Sequence, residues 1–138
     1  MIDGGLWPLI RDNLSNWHWQ RIETGGVGRG IPDVNGCLMS NEIWVELKGT
    51  TGWSPVIRPE QVAWAERRTR YGGKVFLAVR RTCDAGPRRE SADELWLYYS
   101  NGFRTVALEG LKNNPPALLL TGGSRNWDWA QVHELFMS

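Results

Sequence analysis

The sequence has few of the side chains that bind soft metals or form disulfides. Two cysteines and two histidines occur among its 138 residues. These residues, Cys37, Cys83, His18 and His133, show neither CxxC nor HxxxH spacing. A zinc site is therefore not expected, because such sites take closely spaced groups of Cys and His ligands. We expect the cysteines to stay reduced rather than to form a structural disulfide.

Long hydrophobic runs are also missing. No apolar segment approaches the ~20 residues that a membrane-spanning helix requires, and no basic segment followed by an apolar one indicates a signal peptide. We therefore expect an intracellular protein without a membrane partner. Hydrophobic residues make up 41% of the chain and charged residues 22%, which is typical of a globular protein. The length predicts a single domain over residues 1–138.

The sequence does contain a predicted β-hairpin in its first half. Two short apolar runs, 31–39 and 42–47, flank the polar pair Ser40-Asn41. A polar pair between two apolar runs is typical of a tight turn that joins neighbouring strands.

Three charged side chains are expected to converge on this hairpin. Because side chains alternate between the faces of a strand, Glu46 and Lys48 point the same way. Asp33 begins the preceding strand, and the hairpin is expected to bring it opposite Glu46. Two carboxylates on stiff strands suit a hard divalent cation such as Mg²⁺, and the lysine adds a compact positive charge.

The dipeptide Pro-Asp at 32–33, followed by Glu-Leu-Lys at 46–48, resembles the signature of the PD-(D/E)XK nuclease superfamily. The surrounding sequence makes this resemblance more specific. A glycine-rich segment at 25–30 precedes the motif, and a predicted helix carrying Gln61 and a predicted strand at 74–79 follow it.

Over residues 6–81 the chain is similar to a small viral and microbial branch that includes VRR-NUC domains and Holliday junction resolvases. The resemblance implies an α/β fold with a restriction-endonuclease-like core, made of a helix, a mixed β-sheet, a helix and a strand. Residues 92–138 would form a C-terminal extension of further strands and a helix. The implied function is metal-dependent hydrolysis of phosphodiester bonds in DNA, in viral or microbial recombination or processing.

The resemblance also implies a role for each residue of the site. Asp33, Glu46 and the backbone carbonyl of Leu47 would bind one or two Mg²⁺ or Mn²⁺ ions. Lys48 would orient the attacking water or stabilise the transition state, and Gln61 would support the lysine or that water. Substitution of Asp33, Glu46 or Lys48 by alanine is expected to abolish nearly all cleavage without unfolding the protein.

A further acid often completes the metal site in the resembled superfamily, and two residues are candidates. Glu23 lies in a segment, 18–24, that alternates in the manner of a strand, whereas Asp12 lies on a predicted helix at 6–16. Glu23 is preferred as the additional catalytic acid because it adjoins the glycine-rich segment. A structural pairing of Glu23 with a neighbouring arginine remains the alternative.

Positive charge is concentrated in the middle of the chain, although the formal net charge is only +1. Between residues 58 and 89, nine lysines and arginines stand against three acidic residues, a local net charge of +6. Such a block fits contacts with a phosphate backbone, and a solvated helix face is the simpler alternative. The candidate nucleic-acid-binding residues are Arg29, Arg58, Arg67, Arg68 and Arg70.

The remaining elements are predicted from apolar spacing and turn residues. A helix at 59–71 is expected to bury three residues, Val62, Ala65 and Tyr71. A strand at 74–80 and a polar loop at 81–92 follow. Further strands are predicted at 94–99, 103–108 and 118–120, the first two joined through Asn101-Gly102, and a last helix is predicted at 126–136.

Four functional hypotheses remain open at this point. The first is a structure-selective endonuclease that acts as a homodimer on branched DNA such as a Holliday junction. The second is an exonuclease, a nicking enzyme or a less selective DNase of the same superfamily. The third is a nucleic-acid-binding module without catalysis, and the fourth is a purely structural α/β domain.

Overall fold

The computed structural model describes residues 2–23 and 29–138, and these residues form four helices and one six-stranded sheet. Most of the predicted glycine-rich segment and the end of the predicted strand 18–24 lie outside the described residues. No described helix is long and apolar enough to span a bilayer. In chain order the elements are α1 (Leu6–Asn13), β1 (His18–Arg21), β2 (Val34–Leu38), β3 (Asn41–Thr50), α2 (Pro59–Arg70), β4 (Lys74–Cys83), β5 (Ala92–Tyr99), α3 (Gly102–Glu109), β6 (Leu118–Leu120) and α4 (Trp129–Met137).

The strands lie side by side in the order in which they occur along the chain. Within the described sheet, β3 and β4 are parallel and every other neighbouring pair is antiparallel. A parallel pair needs a crossover connection, and α2 lies in that connection. The predicted order of helix, mixed sheet, helix and strand, followed by further strands and a helix, is confirmed.

The sheet buries apolar side chains on both of its faces. On one face, Val45 and Leu47 of β3 pack in a cluster with Leu6 of α1 and Phe136 of α4. On the other face, Leu77 of β4 packs with buried residues of α2 and α3. The side chains of β3 that alternate with the first set therefore face α2.

The hairpin of β2 and β3 is confirmed, but its turn lies one residue earlier than predicted. Leu38 pairs with Asn41 across the hairpin, so the turn is Met39-Ser40 rather than Ser40-Asn41. Both turn residues have positive φ, 50° and 68°, as in the mirror-image turns that suit two-residue hairpins. The prediction placed the turn at the two most polar residues, and polarity does not indicate which residues adopt a positive φ.

The predicted strand at 103–108 is wrong, because this segment is part of helix α3. Asn101 has a φ of −64° in the right-handed helical region, so the Asn-Gly step does not form a hairpin turn. The buried residues Phe103 and Val106 are three apart, which places them on one face of a helix. The antiparallel partner of β5 on this side is β6.

The loop between β4 and β5 is shorter than the predicted loop at 81–92, because β4 continues to Cys83 and β5 begins at Ala92. Two ion pairs join the strands, Arg80 to Asp93 at 2.8 Å and Arg81 to Glu94 at 2.9 Å. These acids lie just beyond the basic block and neutralise part of it. The local charge of +6 therefore overstates the positive charge that faces solvent.

Candidate active site

Asp33 lies one residue before β2, and its carboxylate is fixed at the edge of β3. Its Oδ2 atom accepts a hydrogen bond of 2.8 Å from the backbone N–H of Leu47. The pairing of β2 with β3 ends at Val34 and Val45, so the Asp33 side chain takes the place of a further backbone partner. A strand residue directs its N–H and C=O toward the same edge, which places the Leu47 carbonyl on the Asp33 side.

Glu46 is the buried centre of the site, with only 2% of its surface exposed. Its Oε2 atom accepts a hydrogen bond of 3.1 Å from the side-chain amide of Gln61 and lies 3.4 Å from Nζ of Lys48. The other oxygen, Oε1, is buried without a hydrogen-bond partner among the residues that the structure describes. Because buried polar atoms nearly always have partners, the ionised form of this carboxyl group has room for a further ligand at Oε1.

The pKa of Glu46 is raised from its ordinary value of 4.5 to about 8. Burial is the main cause, because it removes water from the charged carboxylate. The nearby negative charge of Asp33 raises the pKa further, as does a hydrogen bond between the two carboxyl groups when Glu46 is protonated. Lys48 lowers this pKa without cancelling the other effects. The site is therefore short of positive charge when both carboxylates are ionised.

The oxygen atoms at this position fit a hard divalent cation. Asp33, Glu46 and the Leu47 carbonyl supply them, and Mg²⁺ commonly takes one or two carboxylates while it keeps several waters. A cation there would satisfy Oε1 of Glu46 and offset two neighbouring negative charges. The described part of the chain holds no group of three or more His, Cys, Asp or Glu residues that could bind a metal, so an ion at this site would depend on these oxygens and water.

Gln61 connects Glu46 to the beginning of α2. Its Nε2 atom donates to Glu46, and its Oε1 atom accepts a hydrogen bond of 2.9 Å from the backbone N–H of Arg58. Arg58 precedes Pro59, whose fixed φ suits the first position of a helix. One amide side chain therefore caps the helix and holds the carboxylate of β3.

Gly30 brings the chain close to the first turn of α2, where a side chain does not fit. Its φ is +84°, and a Cβ atom there would lie 2.1 Å from the carbonyl oxygen of Glu60. We expect Gly30→Ala to lower the free energy of unfolding by about 2 kcal/mol or more, because the new side chain strains the backbone and overpacks the contact with α2. Chemical denaturation of the wild type and the variant measures this difference in the free energy of unfolding. Gly52→Ala is the matched control, because a Cβ at Gly52 meets no atom within 4 Å, and equal losses in the two variants would contradict the explanation.

The two candidate additional acids do not join the cluster. Glu23 is exposed, and among the described residues it makes no ion pair or side-chain hydrogen bond with Asp33, Glu46 or Lys48. Asp12 is exposed and pairs with the adjacent Arg11 at 2.9 Å, on a helix that packs against the opposite face of the sheet. The catalytic role of Glu23 stays a prediction that no contact supports.

The five candidate nucleic-acid-binding arginines are all exposed. Arg29 and Arg58 adjoin the two segments that meet at the first turn of α2, beside the carboxylate cluster. Arg67, Arg68 and Arg70 lie in the last turns of the same helix. Both ends of α2 therefore carry exposed positive charge.

A pair of tryptophans beside the site was not predicted from the sequence. The ring centroids of Trp44 and Trp64 are 5.2 Å apart, and the guanidinium carbon of Arg68 lies 5.1 Å and 4.7 Å from the two centroids. The spacing of the two tryptophans along the sequence could have predicted this contact. Trp44 shares a strand face with Glu46, and Trp64 lies one helical turn beyond Gln61.

The fold and the site define an α/β protein in which two carboxylates, a lysine and a glutamine meet at the open end of a β-hairpin. No protein-family model matches the chain, and no curated protein matches it either. Among solved structures, the chain is similar to Hjc, a Holliday junction resolvase from the archaeal hyperthermophile Archaeoglobus fulgidus. The two share 11% identity over 94% of this chain and 95% of that one, with a TM-score of 0.48. A likeness this distant assigns no function, and the function is inferred from the site.

Proposed function

We propose that the chain is a metal-dependent deoxyribonuclease, with Mg²⁺ or Mn²⁺ held by Asp33, Glu46 and the Leu47 carbonyl. The observation that carries the proposal is the buried Oε1 atom of Glu46, which has no hydrogen-bond partner in the described part of the chain and belongs to a carboxyl group beside Lys48 and Asp33. Strongly perturbed carboxylates with a specific charged neighbour are concentrated at functional sites. Buried ion pairs add little to stability, so a purely structural role explains this arrangement less well.

The chemistry follows from the charges of the site. A bound cation would lower the pKa of a coordinated water and offset negative charge that develops on the phosphate. Lys48 supplies a fixed positive charge beside Glu46, suited to orienting the attacking water and to stabilising the phosphoryl oxygens. The oxygen of that water bonds to phosphorus as the bond to the leaving oxygen breaks. Gln61 keeps Glu46 in position throughout.

The proposal extends to structure-selective cleavage of branched DNA by a homodimer. Exposed arginines at both ends of α2 provide phosphate contacts, which position a nucleic acid without reading its sequence. Two active sites would cut both strands of a junction in one encounter, and a homodimer would supply them. An exonuclease, a nicking enzyme or a less selective DNase would use the same chemistry on other substrates.

A panel of DNA substrates tests the proposal and separates these alternatives. The protein is incubated with a four-way junction, a flap, a linear duplex and a single strand, each with Mg²⁺, with Mn²⁺ and with EDTA. Symmetric incision of the junction supports the structure-selective endonuclease, and degradation from ends indicates an exonuclease. Salt-sensitive binding without cleavage indicates a module without catalysis. Cleavage that persists in EDTA would contradict the metal dependence.

A further inference from the structure

A groove at the C-terminal end of α2 differs in chemistry from the carboxylate cluster at its N-terminal end. Its volume is about 630 Å³, and it is lined by Trp64, Arg67, Arg68, Tyr71, Gly72 and Gly73. These residues include two arginines and two aromatic rings, and none is acidic. The nearest acid on the helix, Glu66, is turned toward α3, where it accepts two hydrogen bonds of 2.8 Å from Arg104.

Arg68 is held in place by its neighbours without being neutralised. Its guanidinium lies over the rings of Trp44 and Trp64, and its stem lies against Gly73, where a Cβ atom would come within 2.5 Å of Arg68 Cγ. Among the described residues no carboxylate forms an ion pair with Arg68. A planar guanidinium that is oriented in this way and still exposed is suited to bind a phosphate group.

Tyr71 adds an exposed aromatic surface to the same groove. The sequence predicted that this residue is buried, but 80% of its surface is exposed. It lies just beyond the last turn of α2, and Gly72, with a φ of +92°, turns the chain away from it. Exposed aromatic rings beside positive charge are the combination with which proteins bind unpaired nucleic-acid strands.

We propose that this groove binds an unpaired nucleic-acid strand, with a phosphate on Arg68 and a base stacked on Tyr71. The inference rests on the proposed nuclease function, because it names a part of the substrate for that site. Trp44 and Glu46 share one face of β3, and Arg68 is seven residues beyond Gln61, about 10 Å along the helix. The groove and the carboxylate cluster therefore lie on the same side of the sheet, near enough for one nucleic-acid strand to contact both. Among branched substrates, a flap, which carries a single-stranded segment next to the branch, is therefore preferred over a fully paired four-way junction.

Binding measured without metal tests this proposal. Fluorescence anisotropy in EDTA gives the dissociation constants for a labelled single strand, a blunt duplex and a duplex with a single-stranded flap. Tyr71→Ala is expected to weaken binding of the single strand and the flap about tenfold, because one stacked base is lost. Tyr71→Phe retains the ring and is expected to bind as tightly as the wild type. Unchanged single-strand binding by Tyr71→Ala, or an equal loss on the blunt duplex, would overturn the proposal.

The salt dependence of binding provides a second readout that a structural role would not change. Arg68→Ala removes one phosphate contact, so the slope of log K against log salt for the single strand is expected to decrease by about 0.7. Arg125→Ala, which removes an exposed arginine from outside the groove, is the control and should leave the slope unchanged. Equal slopes for the wild type and Arg68→Ala would contradict the phosphate contact.

These measurements separate the groove from the catalytic proposal. A protein that binds single strands through Tyr71 but cleaves none of the substrates retains the groove and loses the nuclease assignment. A protein that cleaves DNA with metal, and whose Tyr71→Ala variant binds every DNA like the wild type, retains the nuclease assignment and loses the groove.

Discussion

Glu46→Gln is expected to reduce metal-dependent DNA cleavage about a hundredfold or more, while the protein remains folded. Glutamine has nearly the same shape, and its amide oxygen can still accept the hydrogen bond from Gln61. Its neutral amide, however, is a much weaker ligand for Mg²⁺ than a carboxylate. Single-turnover rates at saturating metal, on whichever substrate the wild type cleaves, measure the loss. Circular dichroism and thermal unfolding establish that the variant is folded.

The control is Glu134→Gln, which makes the same chemical change at an exposed residue of α4. This helix packs on the face of the sheet opposite Glu46, so the control variant should cleave at the wild-type rate. Near-normal cleavage by Glu46→Gln would remove Glu46 from the site and with it the proposed function.

Substitution of Lys48 by alanine is expected to lower the stability of the fold as well as the rate of cleavage. Lys48 is 8% exposed and lies 3.4 Å from Glu46, so its removal leaves a buried carboxylate without its cation. Loss of one partner from a buried pair is strongly destabilising. Alanine at this position is therefore expected to destabilise the fold, in contrast to the expectation from the sequence alone. Glutamine at position 46 resembles the protonated acid that the folded chain holds below about pH 8, so Glu46→Gln is the cleaner test of catalysis.

The metal-free protein is expected to become less stable as the pH rises from about 5 to 8. Glu46 has a pKa of about 8 in the folded chain, against an ordinary value of 4.5, so the folded state keeps a proton that the unfolded state has lost. This contribution to stability is fully present below the unfolded pKa and is lost as the pH rises through the folded pKa. The slope from this group is at most about 1.4 kcal/mol per pH unit, measured by urea denaturation in EDTA.

Divalent metal and Glu46→Gln should each remove this pH dependence. Mg²⁺ binds the ionised carboxylate, so it is expected to stabilise the folded protein most at pH 8, by about 2.7 kcal/mol at a hundredfold excess over its dissociation constant. In the Glu46→Gln variant the slope assigned to this residue disappears, and added Mg²⁺ stabilises little. A wild-type protein whose stability at pH 8 is the same with Mg²⁺ as with EDTA would contradict a metal site at Glu46.

The elements that could be predicted from the sequence are those whose pattern is local. The hairpin face of Glu46 and Lys48 follows from alternation along one strand, and the buried strand β4 follows from a continuous apolar run. The position of Gln61 one turn into α2 follows from a proline suited to the helix start. In each case a few consecutive residues contain the whole signal.

The features that could not be predicted depend on contacts between distant segments. The Asn-Gly step before α3 is a strong hairpin signal on its own, but burial of Phe103 and Val106 under the sheet makes that segment helical. Tyr71 was expected inside because its helix is amphipathic, yet it lies where the helix ends, and no element of the described chain covers it. The burial that raises the pKa of Glu46 exists only once α2 has docked on β3.

The one parallel strand pair in the described sheet has a consequence for how the candidate site is assembled. The contact from Asp33 to Leu47 spans 14 residues and the contact from Gln61 to Glu46 spans 15, so the two close loops of similar length. The second contact, however, also needs α2, which lies in the crossover between β3 and β4, to dock on the sheet. A chain that has formed the hairpin alone holds its acids in solvent, without the covering helix. On the proposed function, DNA cleavage should therefore return during refolding only when α2 has docked, and refolding followed together by cleavage and by fluorescence checks this order.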